Sequence, residues 1–121
     1  MKVRINEETK RWVADKIIYI INTAYTTWET QCENYRLANP QMSERALSDY
    51  CWKNEPTISA LILRDELRDN YVGPDDFAFW DKQTQYAAVY NELQKLLRAG
   101  KIQQSTGVLD GKEVWLYEPA E

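Results

Sequence analysis

The sequence predicts a mostly α-helical fold that ends in a β-hairpin. Apolar residues recur at helical spacing along most of the chain before Gly100. Two short extended stretches follow that glycine, and Asp110-Gly111 between them is typical of a tight hairpin turn. With 121 residues, 44% of them hydrophobic, the chain is long enough to bury a core of its own, so residues 1–121 are predicted to form a single domain.

The first helix is expected to begin near Asn6 or Thr9 and to end near Leu37. Its apolar residues recur at intervals of three, four or seven positions along one face: Val13, Ile17, Ile20, Ala24, Trp28 and Tyr35. So wide a face needs more than one neighbour. Two interpretations stay open, since the helix at 1–38 either wraps its own domain or contributes part of this face to a homodimer interface.

Two shorter helices are expected next. Asn39-Pro40 is a break, and Ser43 is the predicted N-cap of a second helix that ends near Asn54. Thr57 is the predicted N-cap of the third helix. The inward residues of the two helices are expected to be Ala46, Leu47, Tyr50 and Cys51, and then Ile58, Leu61, Ile62 and Leu67.

The segment Tyr71–Asp81 has no regular periodicity, and Gly73-Pro74 forces a turn in it. The simplest interpretation is a loop with three aromatic residues that cap the core: Phe77, Phe79 and Trp80. The alternatives are an exposed recognition loop and a metal site at its carboxylates, Asp75, Asp76 and Asp81. No further ligand pattern supports the metal site.

The fourth helix is expected to run from about Lys82 or Thr84 to Ala99, with Gly100 as its C′ residue. Its predicted inward residues are Tyr86, Val89, Tyr90, Leu93, Leu96 and Leu97. The opposite face is then expected to carry Thr84, Ala88, Asn91, Lys95 and Arg98. Glu92 is predicted to lie on that outer side as well.

The composition excludes several classes of function. The chain has no histidine, so Ser-His and Cys-His nucleophiles are excluded, and no glycine-rich phosphate loop occurs. We therefore expect no enzyme, no cofactor and no metal. The two cysteines, Cys32 and Cys51, indicate the cytoplasm, with a disulfide between them as an alternative. The apolar run Ile17–Ile21 is far too short to cross a membrane.

Charge is distributed unevenly along the chain, whose net charge is −4. Residues 39–80 carry four bases and eight acids, whereas residues 81–112 carry five bases and three acids. The acidity therefore lies mainly in the middle of the chain, away from the last helix and the hairpin.

The ending AVYNELQKLLRAGKIQQSTGVLDGKEVWLYE resembles the recognition helix and wing of the winged helix-turn-helix superfamily, as found in small bacterial transcription regulators. In LLRAGKI a glycine turns the chain at the helix end, and an apolar residue begins the wing strand. The likeness covers roughly 43–118 and is carried mainly by 86–118. It implies a winged-helix-like core at 43–118 behind the long N-terminal helix.

The resemblance implies duplex DNA as the partner and transcription regulation as the role, with the helix at about 84–99 in the major groove. The residues expected to contact DNA are Thr84, Ala88, Asn91, Lys95 and Arg98 in the helix, and Lys101 and Lys112 in the wing. Asn91 suits a bidentate bond to adenine, and the cations suit phosphates. A homodimer would double these contacts. The alternative is a protein-interaction module without DNA binding, which the acidic middle segment and Glu92 favour.

Overall fold

The computed structural model describes residues 5–120, so the first four residues of the predicted N-terminal element and Glu121 lie outside the described part. The described elements are α1 Glu7–Ala38, α2 Glu44–Lys53, α3 Ala60–Asn70, a 3-10 segment Pro74–Phe79, α4 Lys82–Arg98, β1 Ile102–Leu109 and β2 Lys112–Pro119. The predicted class, mostly helical with a long first helix and a C-terminal hairpin, is confirmed. The winged-helix assignment within that class remains a prediction.

The N-terminal half of α1 is part of the core. Asn6 caps the helix, since its side chain accepts the backbone N–H of Thr9 at 2.8 Å. Val13, Ile17 and Ile21 are fully buried, and α1 packs against α3, α4 and β2. This half of the helix therefore wraps its own domain, and these three residues are not free to form a homodimer interface.

The C-terminal half of α1 carries α2. Ser43 caps α2 as predicted, with its hydroxyl accepting the N–H of Ala46 at 3.1 Å. No residue of α2 is fully buried, and Ala46, which was expected to face inward, is exposed. A helix of ten residues lying on a single neighbour leaves most of its side chains in contact with water.

The third helix begins later than predicted. Ser59 rather than Thr57 is its N-cap, and its hydroxyl accepts the N–H of Ile62 at 3.2 Å. Ile58 reaches the core from the preceding extended segment, so its burial does not define the buried face of the helix. That face is Ala60, Leu63 and Leu67, and the predicted inward residues Leu61 and Ile62 are exposed.

The aromatic residues of the irregular segment divide between core and solvent. Phe77 is buried, and its ring packs at 5.3 Å from that of Trp12 and 5.1 Å from that of Trp80. Phe79, which was expected to cap the core, is 87% exposed. Side chains three positions apart lie on the same side of a 3-10 turn, so Trp80 packs beside Phe77 against the core as predicted, whereas Phe79, two positions after Phe77, faces solvent.

Asp75 of the same segment is a structural acceptor. Its carboxylate accepts hydrogen bonds from the Thr9 hydroxyl at 2.7 Å and from the Asn6 amide. Asp75 and Asp76 adopt left-handed backbone conformations, with φ of 55° and 52°. Asp75 thus joins the segment to the start of α1, and no cluster of three potential metal ligands occurs among the described residues.

The helix-to-hairpin transition follows from glycine chemistry. At the end of α4, Gly100 has a φ of 70°, the N–H of Gly100 donates to Leu97 at 3.1 Å, and that of Lys101 donates to Leu96 at 3.0 Å. This is the Schellman arrangement, in which a left-handed residue satisfies the last helical carbonyls and reverses the chain. The chain then enters β1 directly, with Ile102 buried.

The hairpin is closed by a two-residue turn. Asp110 and Gly111 both have positive φ, 51° and 77°, as a type I′ turn requires. The strands pair from Ile102↔Pro119 to Leu109↔Lys112. The buried Tyr117 donates its N–H to the carbonyl of Ile58 at 2.8 Å, which fixes the hairpin against the start of α3.

Candidate nucleic-acid interface

The rotation of α4 is fixed by a buried polar residue. Gln85 is fully buried, and its side-chain amide donates to the carbonyl of Phe77 at 2.9 Å. A buried amide needs such a partner, so this bond holds the first turn of α4 against the 3-10 segment. Val89, Leu93 and Leu96 continue the buried face along the helix.

The predicted contact residues of α4 occupy three kinds of position. Asn91, Lys95 and Arg98 are exposed, as expected, and Thr84 is half-buried. Ala88 is only 3% exposed and packs in the core, so the prediction that it allows close approach to DNA is wrong. The small exposed residue of this helix is the neighbouring Ala87.

The predicted inward residues Tyr86 and Tyr90 are exposed instead, by 37% and 44%. Their rings stack on each other with centroids 6.1 Å apart. The prediction failed because it placed apolar side chains inward, whereas Gln85 and Glu92 occupy buried positions of the helix. The whole face is thereby rotated relative to the predicted one.

Glu92 lies on the inner side of α4 and not on the outer side where it was predicted. Its side chain pairs with Lys95 at 3.2 Å, and only 7% of the residue is exposed. Glu92 is the only acidic residue between Lys82 and Arg98. The exposed positions of α4 therefore carry amide, alanine and cationic groups, and the one carboxylate of the helix lies largely buried at their edge, beside Lys95.

A cleft of about 330 Å³ runs along this side of α4 where the helix meets the start of α1. Its apolar floor includes Val13 and Ala88, and its rim brings Lys10 together with Lys95 and Arg98. Glu92 lines the same cleft beside Lys95. Lys10 also pairs with Glu7 at 3.2 Å. Sequence reasoning missed Lys10, because only the packing of α1 on α4 places it near the last helix. The available signal was the apolar stripe of α1, in which Val13 lies about one turn after Lys10.

The two cations of the hairpin lie at opposite ends of it. Lys101 directly precedes β1 and Lys112 begins β2 at the turn, and both are exposed. With roughly 3.3 Å per residue, the length of β1 separates them by more than about 20 Å. They cannot contact the same phosphate. At the tip, the exposed Asp110 and Glu113 offset the charge of Lys112, so Lys101 is the better placed of the two.

A second surface lies on the other flank of α4. A groove of about 230 Å³ between α4, the start of α3 and β2 has four exposed hydrophobic or aromatic residues, Leu61, Tyr86, Tyr90 and Trp115, and we call it the aromatic groove. Tyr117 forms its buried base. Burial and the neighbouring Tyr86 and Tyr90 raise the pKa of the Tyr117 phenol. No acidic or basic side chain from the described part of the chain lines the groove.

Comparison with known proteins identified no matching family model, curated protein or solved structure. None of the helices in the described part of the chain combines the length and the apolar content that crossing a membrane requires.

Proposed function

We propose that this chain is a non-enzymatic, cytoplasmic, winged-helix-like protein that binds duplex DNA with the exposed side of α4. One observation carries the proposal. The exposed side of α4 presents Asn91, Lys95 and Arg98, while Glu92, the one carboxylate of the helix, is buried. Because Glu92 is buried and paired with Lys95, its repulsion of an approaching phosphate is partly offset.

The order of elements supports the same proposal. A helix ends in a Schellman turn at Gly100 and continues into a twisted two-stranded hairpin, as in a recognition helix followed by a wing. The bond from Tyr117 to Ile58 ties that hairpin to the helix before α4. The start of α1 supports α4 from behind and adds Lys10 to the same cleft.

The proposed roles follow from the chemistry of the side chains. Asn91 makes a bidentate contact to adenine in the major groove. Arg98 and Lys101 contact phosphates at the end of the helix and the base of the wing. Lys95 contributes less, because the carboxylate of Glu92 at 3.2 Å already offsets part of its charge. With so few cations, binding is expected to be weak, and each phosphate contact adds about 0.9 to the salt slope. Regulation of transcription is the role such a contact would serve.

The test is fluorescence anisotropy with a random-sequence duplex over a series of salt concentrations. Wild-type protein is expected to bind at low salt, and Arg98→Ala to weaken binding and flatten the salt slope by about 0.9. Arg45→Ala is the matched control, since Arg45 is an exposed arginine on α2. The absence of wild-type binding at low salt, or an equal effect of both variants, would overturn the proposal.

A second candidate function rests on the aromatic groove. The backbone N–H of Tyr117 points away from β1 and donates to the carbonyl of Ile58. Because backbone N–H groups alternate in direction along a strand, the N–H of Trp115 points away from β1 on the same edge of β2. Among the described residues, no turn, loop or cap hydrogen bond uses the backbone N–H of Trp115. An unpaired edge beside exposed aromatic rings suits an extended peptide that adds as a strand and inserts apolar side chains into the groove.

Selection from a displayed random-peptide library tests this second candidate. Peptides with alternating apolar residues are expected to be enriched, and Trp115→Ala is expected to abolish their binding while Arg98→Ala leaves it unchanged. No enrichment, or enriched peptides that bind the Trp115→Ala variant equally well, would contradict it. DNA binding that is unchanged in Trp115→Ala would show that the aromatic groove and the exposed side of α4 bind independently.

A further inference from the structure

The two cysteines of the chain face each other across the contact between α1 and α2. One turn before Cys32, the indole N–H of Trp28 donates to the carbonyl of Cys51 at 2.8 Å. One turn after Cys32, the ring of Tyr35 stacks on that of Tyr50, with centroids 3.6 Å apart and planes at 6°. These two contacts lie on either side of Cys32 and hold it against the turn of α2 that contains Cys51.

Both thiols are free and half-buried. Burial and the contact with the Cys51 thiol raise the pKa of Cys32 to about 11. Cys32 is therefore a protonated thiol at neutral pH and does not have the electropositive surroundings of a catalytic or metal-binding cysteine. Its neighbour at short range is a second thiol, which is the arrangement that a resolving cysteine requires.

We propose that Cys32 and Cys51 form a reversible intramolecular disulfide that fastens α2 to α1. A low-molecular-weight disulfide such as oxidised glutathione is the oxidant. One protein thiolate attacks a sulfur of that disulfide and releases the first glutathione thiol. The second protein thiolate then attacks the protein sulfur of the mixed disulfide and releases the second. Two electrons pass to glutathione, and the two protons are carried by the released thiols.

The cross-link would act on the most weakly held helix of the fold. Because α2 has no fully buried residue, the contacts with α1 that include Trp28 and Tyr35 hold it in place. A disulfide that closes a loop of about twenty residues restricts the unfolded chain and stabilises that attachment. The exposed side of α4 lies outside this contact, so the inference is independent of the proposed DNA binding.

The experiment equilibrates the full chain with oxidised and reduced glutathione in graded ratios, followed by acid quench, alkylation and intact-mass measurement. The wild type is expected to reach a monomeric species with one internal disulfide, no bound glutathione and no alkylated thiol. Cys32→Ser and Cys51→Ser serve as matched variants. Each retains one thiol, so each is expected to carry glutathione or an alkyl group and never an internal disulfide.

Two further measurements test whether the disulfide fastens α2 to α1. Oxidation is expected to raise the Tm of the wild type by roughly 5 °C or more and to slow hydrogen exchange in α2, with no change in the double variant Cys32→Ser/Cys51→Ser. Two alkylated thiols, two bound glutathiones or a disulfide-linked dimer in the oxidised wild type would each overturn the proposal. So would an internal disulfide that leaves exchange in α2 unchanged.

Discussion

Glu92 and Lys95 form an ion pair of 3.2 Å at the boundary between the buried and exposed sides of α4, with Glu92 almost completely buried and the lysine half-exposed. The pair removes the one acidic group of the helix from solvent and offsets part of a charge that the proposed interface uses. No exposed position of α4 carries a carboxylate, but the contact with Glu92 makes Lys95 a weaker phosphate ligand than Arg98.

This pairing predicts that Glu92→Gln strengthens DNA binding. Removal of the carboxylate frees the charge of Lys95, so affinity is expected to rise roughly two- to fivefold and the salt slope to steepen by up to about 0.9. Fluorescence anisotropy over a salt series measures both quantities. Glu29→Gln, at an exposed position of α1, changes the net charge equally. An equal gain in affinity from Glu29→Gln would show that net charge alone raises DNA binding. It would contradict the specific effect of Glu92 on Lys95.

The observed rotation of α4 makes opposite predictions for two adjacent alanines. Ala88 is buried, so Ala88→Leu overpacks the core and is expected to lower the free energy of unfolding by roughly 1–3 kcal/mol. Ala87 is exposed, and Ala87→Leu is expected to change it by less than about 0.5 kcal/mol. Urea unfolding of both variants measures the difference. Greater destabilisation by Ala87→Leu than by Ala88→Leu would contradict the observed rotation of α4.

The attachment of the 3-10 segment to α1 depends on the hydroxyl of Thr9. This hydroxyl is buried and donates to the Asp75 carboxylate at 2.7 Å, so Thr9→Val keeps the shape of the side chain but removes the donor. The free energy of unfolding is expected to fall by about 1–2 kcal/mol. Thr23→Val, at an exposed position of α1, is the control and is expected to have little effect. Equal values for the two variants in thermal or urea unfolding would show that the bond contributes nothing.

Alkaline pH is expected to destabilise the fold through Tyr25. Burial, followed by the nearby Glu118 and Glu55, raises the pKa of its phenol from 10.0 to about 12. The folded state therefore retains this proton at pH values where the unfolded state has lost it. The associated stability is complete below pH 10 and is lost as pH rises from 10 to about 12.

Urea unfolding of the wild type and of Tyr25→Phe between these pH values measures this contribution. Tyr25→Phe is expected to show a shallower loss of stability, because phenylalanine has no proton to lose. Tyr19→Phe, whose ring is 56% exposed in the wild type, is the control. Identical pH profiles for the wild type and Tyr25→Phe would contradict the raised pKa of Tyr25.

Local chemistry made the order of elements predictable. The caps at Asn6 and Ser43, the Schellman turn at Gly100 and the Asp110-Gly111 turn each depend on residues within a few positions of one another. The same holds for the exposure of Asn91, Lys95 and Arg98, which are polar on a helix with a clear apolar stripe. The start of α3 is the exception, because Thr57 and Ser59 are both suitable N-caps and only Ser59 caps the helix.

The rotation of α4 could not be predicted in the same way, because it depends on buried polar residues. Gln85 is buried because its side-chain amide donates a hydrogen bond to the carbonyl of Phe77, which lies in another element. Glu92 is buried beside Lys95. Hydrophobic periodicity treats both as surface residues and therefore turns Tyr86 inward and Ala88 outward. Lys10 joins the site only through the packing of α1 on α4, a long-range contact that no local pattern contains.

The most direct test of DNA binding through α4 is an NMR titration of the ¹⁵N-labelled chain with a random-sequence duplex at low salt. We predict that the largest amide shifts occur at Asn91, Arg98 and Lys101, and that they disappear as salt is added. Shifts confined to the aromatic groove around Trp115, or no shifts at any duplex concentration, would contradict the assignment of α4 as the DNA-binding helix.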